Sequence, residues 1–228
     1  MQPVLFTLIP LAAVLIGSLV GVRSQPSESF VSALQHLAAG VVLGAAAVEI
    51  LPLVMQQGSP EATLVGGVLS IGLMLTLKAC ESHAQGPVAM LGAVSVDILI
   101  DGLVLGLAFV AGARAGLLMT IALTLEVLLL GLTVTSLLGK TVKSKVRIVL
   151  TTMSIALLLP LGVVLAGPVA NLPAVVITGF LSFGLMALLF LVTEELLVEA
   201  HETPDSPLIS AMFFVGFLAI LLTEQVVG

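Results

Sequence analysis

Eight stretches of almost unbroken apolar side chains, at residues 3–22, 29–55, 62–79, 87–112, 116–138, 146–166, 173–199 and 207–227, are separated by short breaks of glycine, proline, serine and charge. A helix needs roughly 20 apolar residues to cross a hydrocarbon core of about 30 Å, and each stretch is close to that length. Lipid-spanning strands would instead alternate polar and apolar residues over about ten positions. The continuous runs therefore predict an all-α, polytopic membrane protein with eight transmembrane helices. Its 228 residues are 59% hydrophobic and 9% charged, with a mean hydropathy of +1.30. That is more apolar surface than one soluble core could bury. Residues 1–228 read as a single integral-membrane domain. The first run resembles a secretory signal in position, but no basic residue precedes it and it is long enough to span, so a true helix is expected.

The basic residues set an expected orientation, because short cytoplasmic loops retain Lys and Arg. With the N-terminus outside, Arg23, Lys78, Lys140, Lys143, Lys145 and Arg147 fall on the cytoplasmic side and Arg114 alone falls outside. Both termini are then external. The stretch from Lys140 to Arg147 reads as a topology anchor against lipid headgroups. No organelle-targeting segment is visible, so the cell (plasma or inner) membrane is the economical location. The single Cys80 excludes an intrachain disulfide or cysteine metal cluster. A net charge of −6 offers nothing to a nucleic-acid partner; the lipid bilayer is the expected surrounding.

Acidic residues inside apolar runs are the informative exceptions. Asp97 and Asp101, four residues apart on helix four, project from one face about 6 Å apart along the axis. Glu126 lies near the middle of helix five, which a very short loop makes the antiparallel neighbour of helix four. Each ionised carboxylate near a bilayer centre costs at least about 2.5–3.5 kcal/mol, and three together repel. No Lys or Arg in the sequence lies at that depth, so protons shared between helices or a bound cation must neutralise them. Oxygen ligands from two helices suit Mn²⁺, Fe²⁺, Mg²⁺ or a carboxylate-bound Zn²⁺. Glu49 and Pro52 end helix two on the external side and His36 begins it on the cytoplasmic side. Glu195 and Glu199 share a face at the cytoplasmic end of helix seven and, with His36, form a candidate exit relay. Glu224 and the Cys80-Glu81-Ser82-His83 segment read as ordinary solvent-facing positions.

Small-residue patterns such as Gly40-Val-Val-Leu-Gly44, Gly66-Gly67 and Gly102-Leu-Val-Leu-Gly106 predict close helix packing. Gly40–Leu51 on helix two and Gly184–Leu196 on helix seven each place a Glu about ten residues after a Gly, a weak echo. An odd helix separation would make such a repeat inverted in the membrane.

Helix two, Ala38-Ala-Gly40-Val-Val-Leu-Gly-Ala-Ala-Ala-Val-Glu49-Ile-Leu-Pro52, and helix seven, ending Glu194-Glu195-Leu-Leu-Val-Glu199-Ala, resemble segments of the ZIP (Zrt/Irt-like) family of divalent metal transporters. Asp97-Ile98-Leu99-Ile100-Asp101-Gly102 is similar to that family's His-Asn-x-Pro-Asp/Glu-Gly motif, with Asp97 for His and Ile98 for Asn. Glu126-Val127-Leu128-Leu129-Leu130-Gly131 is similar to its helix-five motif with fewer ligands, and Leu159-Pro160-Leu161-Gly162 to its Glu-Pro-Leu-Gly. The resemblance implies an inverted 3+2+3 bundle and inward movement of a divalent metal (Zn, Mn, Fe or similar) as substrate, with no tightly bound cofactor. It also implies a homodimer through helices four and five. Ile98, Val127, Leu130 and Leu159 would remove one of two adjacent metal sites, leaving Asp97, Asp101 and Glu126 as a smaller, all-oxygen metal site. Glu49 would admit the ion, and Glu195, Glu199 and His36 would release it. The alternatives are a proton-linked carrier of another small solute and a non-transporting scaffold or sensor. An enzyme is not expected: the sequence offers no mid-membrane nucleophile–base pair, phosphate loop or intramembrane histidine cluster.

Overall fold

The computed structural model describes residues 2–24, 26–56, 59–83, 87–139, 141–202 and 206–227, with side-chain surroundings for all of these except 2, 80–83, 87–90, 136, 137 and 227. Lys140 and the side chains of Cys80, Glu81 and His83 lie outside this description. Among the described residues no strand occurs, and eight helices are long and apolar enough to cross a membrane. They are α1 (Pro3–Arg23), α2 (Glu28–Gln56), α3 (Pro60–Ala79), α4 (Leu91–Ala111), α5 (Ala113–Thr135), α6 (Lys145–Asn171), α7 (Ala174–Ala200) and α8 (Pro207–Val226). The chain is a multi-pass membrane protein.

Local chemistry sets the helix boundaries and bends. Ser27 caps α2 by accepting a hydrogen bond from the Phe30 N–H at 3.3 Å, and Ser144 caps α6 from the Arg147 N–H at 3.4 Å. α1 is interrupted at Thr7, three residues before Pro10, and α6 at Leu157, three residues before Pro160. Each break sits where the proline ring would crowd the preceding turn. Hydroxyls along the spans, including those of Ser95, Thr120, Thr124 and Thr152, donate to carbonyls four residues earlier on their own helix. They therefore need no water inside the apolar layer.

Four helices, α2, α4, α5 and α7, form the centre, and each carries one outer helix: α8 on α2, α6 on α4, α1 on α5 and α3 on α7. This pairing makes two groups, α1/α4/α5/α6 and α2/α3/α7/α8, which meet mainly where α2 faces α5 and α4 faces α7. Exchanging α1 with α6, α2 with α7, α3 with α8 and α4 with α5 leaves the pairing unchanged. In the centre of α5, 61% of residues are buried, against 11% for α8. The outer helices, and not α4 and α5, thus present most of the apolar surface to lipid.

Each of the four outer contacts closes on glycine. A Cβ on Gly102 would stand 2.9 Å from the Leu159 carbonyl carbon and 3.0 Å from Gly162 Cα, and one on Gly40 would stand 2.8 Å from the Phe213 carbonyl carbon. Gly66 meets the Gly179 backbone and Gly17 the Leu128 backbone in the same manner. Backbones can approach this closely only without side chains, and without a hydrophobic drive between helices in lipid that contact is what holds them. Gly72 faces open space. Gly102→Val and Gly40→Val are each expected to lower stability by about 1–3 kcal/mol in detergent thermal unfolding, while Gly72→Val leaves the melting temperature within error of the parent.

Candidate cation site and its approach

Glycine contact between α4 and α6, and between α5 and α1, leaves the opposite faces of α4 and α5 to meet each other and the second helix group. On those faces the structure brings Asp97, Asp101 and Glu126 together, each offering a carboxylate oxygen within 4.8 Å of the others. Asp97 is half-buried, while Asp101 and Glu126 are each 3% exposed. Asp101 Oδ2 and both oxygens of Glu126 are sealed from solvent with no N–H or hydroxyl donor beside them, and the two carboxyls face each other. Buried polar atoms are almost always satisfied, so carboxyls gathered at one point must share a proton or a cation. Cations held by oxygen accept carboxylates from separate helices readily, and the charge of the ion replaces the missing donors.

A cavity of about 240 Å³ reaches this cluster from one end of the bundle. Asp97 and Glu126 line its inner part; Lys78, Thr133, Glu195 and Glu199 line it further along. These residues come from the C-terminal parts of α3, α5 and α7 and the N-terminal part of α4, which all lie at the end bearing Lys145 and Arg147. Lys78 forms an ion pair with Glu194 there and lies over the Phe190 ring, 5.6 Å from its centroid. Glu195 and Glu199 therefore sit on the approach as the sequence suggests. His36 is 2% exposed, lies outside the cavity lining, and packs its ring 5.1 Å from that of His201, at the same end of α7 that carries Glu199. Its Nδ1 lies 2.9 Å from the Ser32 carbonyl oxygen. Gln35, the residue before it, donates to Glu199 Oε2 at 2.7 Å.

Two further features escape the sequence reading. Residues Ala46–Ile50 of α2, containing Glu49, and Leu191–Leu196 of α7, containing Glu194 and Glu195, are π-helical turns. Such turns admit an extra residue and re-aim the side chains that follow. The second feature corrects the reading of Glu224 as solvent-facing. At the end opposite the cavity, Arg114 Nη2 pairs with Glu224 Oε1 and donates to the Glu224 carbonyl oxygen at 2.7 Å. Arg114 Nε lies 3.5 Å from Glu49 Oε1. That distance makes an ion pair, but neither atom has a hydrogen-bond partner, so the contact is Coulombic and not a formed hydrogen bond. The positive end of a long side chain in α5 draws in acids from α2 and α8, a meeting with no signal in the spacing of any one helix.

No family model matches the sequence, and no curated protein matches it.

When no cation is bound, buried carboxyls that face each other must take up protons or repel, whereas a carboxamide is neutral and supplies its own N–H donors. Glu126→Gln is expected to raise metal-free stability by about 1–3 kcal/mol, read as a higher melting temperature in chelator-treated detergent solution. An unchanged or lower melting temperature would mean that the carboxylate is already compensated.

Proposed function

We propose that this protein is a carrier for a divalent cation, which it binds at Asp97, Asp101 and Glu126 and passes to the cytoplasm. The observation that carries this reading is the convergence of the three carboxylates within 4.8 Å at the inner part of a cavity that leads to one end of the bundle. Charge at that end supports a cytoplasmic assignment, since Lys78, Lys143, Lys145 and Arg147 gather there and Arg114 stands at the other. Both termini are then external, and the cell membrane is the location proposed. The similarity of α2, α4, α5 and α7 to ZIP family segments favours the same activity, as does a pairing of helices that suits an inverted 3+2+3 arrangement.

Movement follows from the division into two helix groups. The carboxylates belong to α4 and α5, whereas Glu195 and Glu199 belong to α7 of the other group. A shift of one group against the other closes the cavity at the Lys78 end and opens a path at the Arg114 end, so the ion meets one side at a time. Three carboxylates around a divalent ion leave a net negative charge, and binding releases any protons they hold, which links occupancy to pH. On leaving, the ion meets Glu195 and Glu199, while Lys78 neutralises Glu194 and keeps the exit from holding the cation too tightly.

An all-oxygen set favours harder cations over those that prefer imidazole or thiolate. Purified protein in liposomes is therefore expected to take up Mn²⁺ saturably, with uptake reduced at least about tenfold, equivalent to a loss of roughly 1.4 kcal/mol, in Asp101→Asn and in Glu126→Gln. Asp97→His is expected to shift preference from Mn²⁺ toward Zn²⁺ in direct competition. Uptake that persists unchanged in the two carboxamide variants would remove the site from the pathway. Proton-driven flux of another solute without any metal dependence would replace the cation reading with that of a proton-linked carrier.

A further inference from the structure

The geometry points to Arg114, Glu49 and Glu224 as an ion-pair latch that holds the end opposite the cavity shut and must break before the carboxylate site can be reached from that end. This inference rests on the carrier reading for its purpose, although the latch itself is argued from contacts alone. Arg114 belongs to α5, in the group α1/α4/α5/α6; Glu49 and Glu224 belong to α2 and α8, in the other group. Of the ion pairs described, those of Arg114 join the two groups, whereas Lys78–Glu194 joins α3 to α7 within one group. A link that merely stiffens a bundle can sit within a group. A link that resists separation of the groups has to cross between them, and it has to lie where the passage is closed.

Its chemistry suits breaking as well as forming. One guanidinium is shared by two carboxylates that face each other, and Glu49 Oε1, Arg114 Nε and Glu224 Oε2 are buried without hydrogen bonds. A fully hydrogen-bonded pair would be costly to separate; here Arg114 Nε and Glu49 Oε1 stand 3.5 Å apart without a hydrogen bond, so water or an arriving cation regains part of what opening loses. Glu49 also lies in the π-helical turn Ala46–Ile50, which contacts α4, α5 and α7. The latch thus grips the same turn that lies between the closed end and the site.

Cysteine accessibility in the full-length protein tests this without reference to any metal. In a Cys80→Ser background, Ala46→Cys places a thiol at a residue 1% exposed in that turn, and Thr133→Cys places one in the cavity lining. In vesicles of known orientation, a membrane-impermeant maleimide added at the Arg114 end is expected to label Ala46→Cys about tenfold faster when Arg114→Gln is also present, because one charged contact holds the closed state. Labelling of Thr133→Cys from the Lys78 end should not rise. Exchanging the charges in Arg114→Glu/Glu224→Arg should restore slow labelling, and Glu224→Gln, a milder change, gives the same readout should Arg114→Gln fail to fold. Unchanged labelling of Ala46→Cys in folded variants overturns the latch, as does an equal rise at both thiols, which means general loosening. A failed cation-uptake assay beside a positive labelling result would overturn the cargo and leave the latch standing.

Discussion

Charge inside an apolar layer is the constraint on which the rest of this structure depends. Lipid provides neither donors nor acceptors, so each backbone group is satisfied within its own helix, and hydroxyls such as those of Thr120 and Thr124 turn back to their own carbonyls. Against that background Asp97, Asp101 and Glu126 are expensive. They are tolerable only because other helices cover α4 and α5, with α2 and α7 on one face and α1 and α6 on another. The outer helices have few polar demands and serve largely to keep the central four away from lipid. Glycine is what lets them do so at short range, since each outer–inner contact closes on bare backbone.

The fold was legible in the sequence because its cause is one-dimensional. Length and hydropathy along the chain specify where helices lie, and the eight runs match the eight spans to within a few residues at most ends. The three site carboxylates were legible for a related reason: each violates the local apolar rule, and the spacing of four from Asp97 to Asp101, with a one-residue turn at Gly112 between α4 and α5, fixes their juxtaposition. What the sequence could not yield depends on side-chain direction or on distant partners. That Gln35 reaches Glu199 and that the His36 ring packs on His201 depend on how α2 is rotated against α7. The partners Arg114 and Glu224 are 110 residues apart. The π-helical turns in α2 and α7 have no compositional mark beyond the acids they carry.

Those two turns also give physical content to the weak echo between helices two and seven. Each turn lies in a central helix, each carries glutamate, and the exchange of helices that preserves the packing maps one helix onto the other. Yet the turns are used differently. Glu49 meets a cation fixed in the protein, Arg114 of the opposite group, whereas Glu194 meets Lys78 of its own group and Glu195 lines the open cavity. A symmetric scaffold therefore carries an asymmetric charge pattern.

That asymmetry parallels the difference between the ends, one reached by the cavity and the other packed, with Ala46 and Ile50 buried. Where an ion pair crosses between the groups, separating them exposes charges that were partners; where it stays within a group, separation costs no Coulomb energy. Among the described ion pairs the Arg114 end has the first kind of contact and the Lys78 end the second, a difference that favours parting at the Lys78 end. In the proposed cation carrier, a divalent ion among Asp97, Asp101 and Glu126 would remove repulsion between α4 and α5 and attract the carboxylates of α7 that line the cavity. Because a ligand shifts a conformational equilibrium only by the difference in its affinity for the two states, the proposed transport requires that these contacts between the groups differ between the two states.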